Sequence, residues 1–194
     1  MSFGNHARRV RDSDLPHQRR VSALRSCVQL YRPLGFNATL SYLESKAGKF
    51  QSDEAALLGA LDVIEASRAV LRVELQAYAA RRREAKRLGR RSPRAEDANP
   101  NLQFRWYWYA APREAARHAL WFWWRRRSPR LSPSDIPALS ELSECVRECL
   151  DAGDVLTEVE RGLLGARLKE LERQLPTRDL LHVVRHVEVA SGLR

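Results

Sequence analysis

The sequence predicts a mainly α fold: long antiparallel helices with a short basic, aromatic-rich β-hairpin, or a strand plus a helix, inserted in the middle. Three observations predict it. Apolar residues recur at helical spacing on both sides of the centre, from Leu15 to Leu88 and from Ala138 to Val187. In the centre, Phe104-Arg105-Trp106-Tyr107-Trp108-Tyr109 switches to alternation, the period of a strand. Connectors rich in Arg, Ser and Pro, 89–100 and 128–137, set that centre apart.

Along the chain, residues 1–12 read as a basic, disordered tail, and 13–194 as one helical domain with an inserted element at 89–132. Ser13-Asp14-Leu15-Pro16 has the caps and first-turn proline of a helix start. Leu15, Val21, Leu24, Val28 and Tyr31 then keep helical spacing until Pro33-Leu34-Gly35 stops it. Asn37 is placed to cap a second helix with Leu40, Leu43, Ala47 and Phe50 on one face. Ser52-Asp53-Glu54 supplies a cap and two acids to a third helix reaching about Leu88, because the macrodipole favours acids there.

That third helix has two apolar stripes. Leu57, Leu61, Ile64, Leu71, Leu75 and Tyr78 form one, and Val63, Ala66, Val70 and Val73 the other, so its first half is expected to be buried on two sides. Its far end, Arg81 to Arg87, is polar all round and is expected in solvent. The segment from Ala116 to Arg127 fits either a returning strand that closes a hairpin or a helix starting at Pro112. The hairpin is preferred because Leu120–Trp124 is so aromatic. A long helix is expected from about Ala138 to Leu175, then a break at Pro176 and a last helix that Thr177 can cap.

Charge is more informative than pattern. Residues 81–130 hold 15 Arg or Lys against 4 Asp or Glu and all five tryptophans, whereas 131–194 carries a net charge of −4. Thirty of the 34 basic residues are arginine, which grips phosphate bidentately and stacks on rings where lysine does neither well. A field this localised draws polyanions, and arginine interleaved with flat rings suits phosphate contact and base stacking. The residues expected to contact nucleic acid are Arg81, Arg82, Arg83, Lys86, Arg87, Arg90, Arg91, Arg105, Trp106, Trp108, Arg117, Trp123, Arg125, Arg126 and Arg127. The same composition also suits a small sheet whose rings form a local core.

Other chemistries find no support in the sequence. No Gly-rich phosphate loop or nucleophile elbow occurs, so no catalytic residue is assigned and the chain is expected not to be an enzyme. Cys145 and Cys149, with His182 and His186, have the residue types of a zinc site. The span from Cys149 to His182 far exceeds that of compact fingers, so no metal or cofactor is expected. Met1–Arg20 has no apolar signal region, and no apolar run approaches the ~20 residues of a membrane span. With three cysteines, an odd set, the expected setting is a reducing cytoplasm.

Leu71-Arg72-Val73-Glu74-Leu75, Phe104-Arg105-Trp106, Leu120-Trp121 and Glu158-Val159-Glu160-Arg161 occur in this order. In that order the chain resembles a group of uncharacterised, mostly helical proteins of integrating conjugative elements and plasmids of Gram-negative bacteria. The triple-Trp cluster and the Arg81–Arg94 run depart from that group. The resemblance implies a setting in element transfer, maintenance or replication, and supplies no catalytic residues. The function expected is therefore a non-catalytic nucleic-acid-binding accessory protein, with DNA ahead of RNA as ligand. A protein partner on the acidic C-terminal helix and a homodimer are the further partners expected. The alternative is a helical interaction module or inhibitor docking its basic aromatic patch on an acidic protein, since Trp, Tyr and Arg are also favoured interface anchors.

Overall fold

The computed structural model describes residues 1–90, 107–127, 136–151, 156–174, 178–191 and 193. The chain forms two units, Met1–Ala110 and Ala111–Arg194. The first holds α1 (Phe3–Arg11), α2 (His17–Leu30), α3 (Phe36–Ala47) and α4 (Glu54–Arg87). The second holds α5 (Pro112–Arg127), α6 (Ile136–Asp151), α7 (Glu158–Gln174) and α8 (Arg178–Ala190). Among the described residues there is no strand, so the inserted β-hairpin is overturned.

The supposed tail is helix α1. Ser2 caps it by accepting from the Asn5 amide, and Phe3, Ala7 and Val10, spaced i, i+4, i+7, are buried against α2. Arginines of α1, α2 and α4 tie it down. Arg20 of α2 is 4% exposed and donates to the Val10 carbonyl at 2.8 Å and to Glu54 at 2.8 Å. Arg11 donates to Glu65 at 2.6 and 3.1 Å and to Asp62 at 3.1 Å, and the Arg68 guanidinium lies 4.1 Å from the centre of the Phe3 ring.

Helix α4 is the axis of the first unit. Asp53 caps it by accepting from the Ala56 amide at 2.9 Å, and Ala56, Leu57, Ala60, Leu61, Ile64 and Ser67 are buried. Beyond Ser67 no residue of α4 is fully buried. The expected second buried stripe is corrected: Val70 is 40% and Val73 62% exposed. Gly89, at φ 70°, ends the helix. Its amide bonds to the Lys86 carbonyl and the Arg90 amide to the Ala85 carbonyl, the paired closure that a left-handed glycine permits.

The aromatic alternation has a different cause from the one expected. Trp108 enters the helical core, 1% exposed, with its ring edge-on to Tyr42 at 5.0 Å and tilted over Tyr31 at 6.4 Å. Tyr107 and Tyr109, on either side of it, meet edge to face at 4.9 Å. The Tyr109 amide donates to the Ser67 hydroxyl, which also bonds the Tyr31 phenol at 2.8 Å. A helix side chain thus takes the place of a neighbouring strand. Tyr107, Trp108 and Tyr109 are the described part of the alternating run, and of these Trp108 alone is buried.

Burial pushes the Cys27 thiol up to about 12 and the Tyr31 phenol up to about 12, although the Ser67 bond opposes the latter. Burial, then Tyr31, Tyr107 and Glu74, pushes Tyr109 far above its ordinary value. Each of these groups ionises more readily in the unfolded chain. Their stabilisation is therefore complete below the ordinary values of 9.0 and 10.0, and is lost as pH rises towards 12. We expect the first unit to unfold in alkali across that window, with tyrosinate absorbance rising as helicity falls. Tyr31 and Tyr109 titrating at their ordinary value with helicity intact would contradict the packing.

In the second unit, α5 packs on α6 and α8, and α7 on α6 and α8. The interior includes Ala119, Leu120, Trp123, Val146, Leu150, Leu164, Leu168, Val184 and Val187. Pro112 in the first position, Glu114 in the first turn and Arg125–Arg127 in the last are all where a helix favours them, which is why the aromatic run is helical. The single long helix expected from Ala138 to Leu175 is also corrected, because α6 ends at Asp151 and α7 starts at Glu158. A capping box makes that restart. Glu160 accepts from the Thr157 amide at 2.7 Å and hydroxyl at 2.8 Å, while the Glu160 amide donates to the Thr157 hydroxyl at 3.3 Å. Thr157→Ala is expected to destabilise the second unit by about 1 kcal/mol in denaturant unfolding. The expected Thr177 cap lies outside the described residues.

Candidate nucleic-acid interface

The predicted contact residues fall into two groups, one in each unit. Arg81, Arg82, Arg83, Lys86 and Arg87 occupy the last two turns of α4, and Arg90 follows its glycine cap. All are exposed except the half-buried Arg82. Cations at a helix C-terminus offset its partial negative charge, so this density of charge stabilises the helix end it occupies. Glu84 is the acid among them, and Arg87 donates to it at 3.4 Å.

The second group lies on α5. Ala115, Ala116, Ala119, Leu120 and Trp123 turn into the second unit. At 100° per residue, a residue two positions from Trp123 lies on the opposite side of the helix. Trp121 accordingly stands 45% exposed. The Arg125 guanidinium lies 5.4 Å from its ring centre and the His118 ring 5.2 Å away. One step round the helix, Arg126 lies 5.9 Å from the centre of the half-buried Phe122 ring. Both ring-to-arginine pairs are spaced i, i+4, so each guanidinium rests on a ring one turn before it. The strip presents two held cations and one open indole.

The structure separates residues that the composition grouped. Trp108 is in the core of the first unit and Trp123, 4% exposed, in that of the second, so neither ring stacks on a base in this fold. Arg117 is exposed but donates to Asp151 of α6 at 2.8 Å, which compensates its charge. Arg125 and Arg126 are exposed and Arg127 half-buried. Arg91, Arg105 and Trp106 lie outside the described residues. In the sequence Trp121 is one of several rings that could stack on a base, and nothing there singles it out. The signal for it is helical spacing from Trp123, which a strand assignment conceals.

No cluster of three or more metal-ligating side chains occurs among the described residues. Cys27 is buried and Cys145 and Cys149 are half-buried, all as free thiols. No helix among the described residues is long and apolar enough to cross a membrane. The chain matches no protein-family model, no curated protein and no solved structure.

Proposed function

We propose that the protein is a non-catalytic nucleic-acid-binding accessory factor. It grips phosphates with the arginines of α4 and α5 and stacks a base on Trp121. The observation that carries the reading is the solvent-facing strip of α5. There Arg125 and Arg126 are held over Trp121 and Phe122 in a stretch with a dense excess of positive charge. Arginine fixed on a ring loses less side-chain freedom when it meets a phosphate, and the exposed part of the Trp121 indole, beside Arg125 and His118, offers ring surface for a base to stack on. The setting we infer, a mobile genetic element with DNA as ligand, rests on the short sequence strings alone.

The reading is tested by fluorescence anisotropy with labelled single-stranded and duplex DNA and RNA, following tryptophan emission in parallel. Binding with quenching supports stacking on Trp121. Binding without quenching leaves the arginines as the contact and removes the ring from the site. Absence of binding at low salt turns the same strip towards an acidic protein surface, where Trp and Arg are equally favoured anchors.

A further inference from the structure

Helix α4 has an apolar face that its own unit leaves uncovered. Leu71, Leu75 and Tyr78 are half-buried on one side of the helix. On the other, Ala66, Ala69, Val70, Val73 and Ala80 are exposed and Ala77 half-buried, with Val73 at 62%. These positions are spaced i, i+3, i+4, i+7, i+11 and i+14, so they form one continuous strip, about 21 Å long at 1.5 Å per residue. A helix apolar on two faces normally buries both.

The charges beside the strip identify what covers it. Its N-terminal end is flanked by Asp62 and Glu65. Arg11 engages both, but the Asp62 side chain remains 70% exposed. Its C-terminal end carries Glu84 between Arg83 and Arg87; Arg87 donates to Glu84 at 3.4 Å, yet its side chain remains 79% exposed, and the Arg81–Arg87 run stays positive on balance. A parallel copy would set the Arg81–Arg87 run against itself, whereas an antiparallel copy sets it beside Asp62 and Glu65. Flanking charges of this kind decide partner and orientation in paired helices.

We infer that two copies of the chain associate through this face, α4 against α4 and antiparallel, with Val73 near the two-fold axis. The contact is isologous, the same strip on both copies, and the alanines let the two helices approach closely. The inference rests on α4 alone and needs no nucleic acid. If the nucleic-acid reading also holds, the pairing sets the two basic ends about 33 Å apart along the helix axis, close to the ~34 Å of one duplex turn.

The test is sedimentation of the full chain over a concentration series, without nucleic acid. A reversible dimer is expected for the native sequence. Val73→Glu is expected to raise the dimer dissociation constant at least about tenfold, by placing a carboxylate at the centre of the contact. Circular dichroism should be unchanged, because Val73 is exposed within its own chain. The double variant Arg83→Glu/Arg87→Glu is expected to weaken the dimer about threefold or more by removing the cross-pairing. A native chain that stays monomeric overturns the inference, as does a dimer that survives Val73→Glu. A dimer strengthened by the double variant overturns the antiparallel arrangement.

Discussion

Replacing Trp108 by alanine is expected to destabilise the first unit by about 3–5 kcal/mol, the range for emptying a large aromatic site in a packed core. The ring is 1% exposed and contacts Tyr42 and Tyr31, so its removal strips area from both and leaves a void between helices. It also loosens the segment whose Tyr109 amide satisfies Ser67, adding a buried hydroxyl with one partner fewer. Thermal unfolding should show a fall of roughly 10–20 °C in the midpoint of that unit. Trp108→Phe should recover much of the loss. The opposite outcome is informative: a Trp108→Ala chain with native stability but no affinity for nucleic acid would mean that the ring is a stacking platform after all.

The second large effect is expected on α5. Arg125→Glu/Arg126→Glu should lower affinity for nucleic acid by about tenfold or more. It should also flatten the log–log salt dependence by about two phosphate contacts, each worth a slope of about 0.7–0.9. Trp121→Ala should cost about 1–3 kcal/mol of binding, the value of one stacked base. Arg117→Ala should cost less than either arginine of the strip, because Asp151 already compensates its charge. Trp123→Ala, by contrast, should act on stability, since that ring is buried. Equal losses from Trp121→Ala and Trp123→Ala, with stability intact, would contradict the orientation of α5.

Helix boundaries were legible where local chemistry decides them. Asp53 caps α4, Gly89 closes it, and Pro33 to Gly35 separate α2 from α3, because capping and glycine geometry act over a few residues. The helix at Phe3–Arg11 was concealed because three apolar residues at helical spacing sit among arginines. Its stability comes from tertiary partners, Glu65 and Asp62 on α4 and the α2 surface, which composition does not reveal. The box at Thr157 and Glu160 was readable as Thr-x-x-Glu, but the leucine periodicity on both sides masked the break.

The hairpin failed for a physical reason. Aromatic residues favour strands because they pack on a pleated surface, and that preference yields when a helix offers a better burial. Ala115, Ala116 and Ala119 give α5 a narrow face that lets Trp123 reach the interior, while Trp108 finds its slot between Tyr31 and Tyr42. The candidate site was legible as a region, since charge segregation needs no fold. It was not legible residue by residue, because two of its tryptophans proved to be core and Trp121 is told apart from Trp123 only once the run is helical.

The measurement that bears most directly on the nucleic-acid assignment is the affinity of the native chain for single-stranded and duplex DNA and RNA, measured across a salt series. The logarithm of affinity is expected to fall linearly with the logarithm of salt, with a slope reporting several phosphates. Tryptophan emission from the exposed Trp121 should be quenched on binding. Failure to bind any of these ligands at low salt, with the helical fold intact, would contradict that assignment.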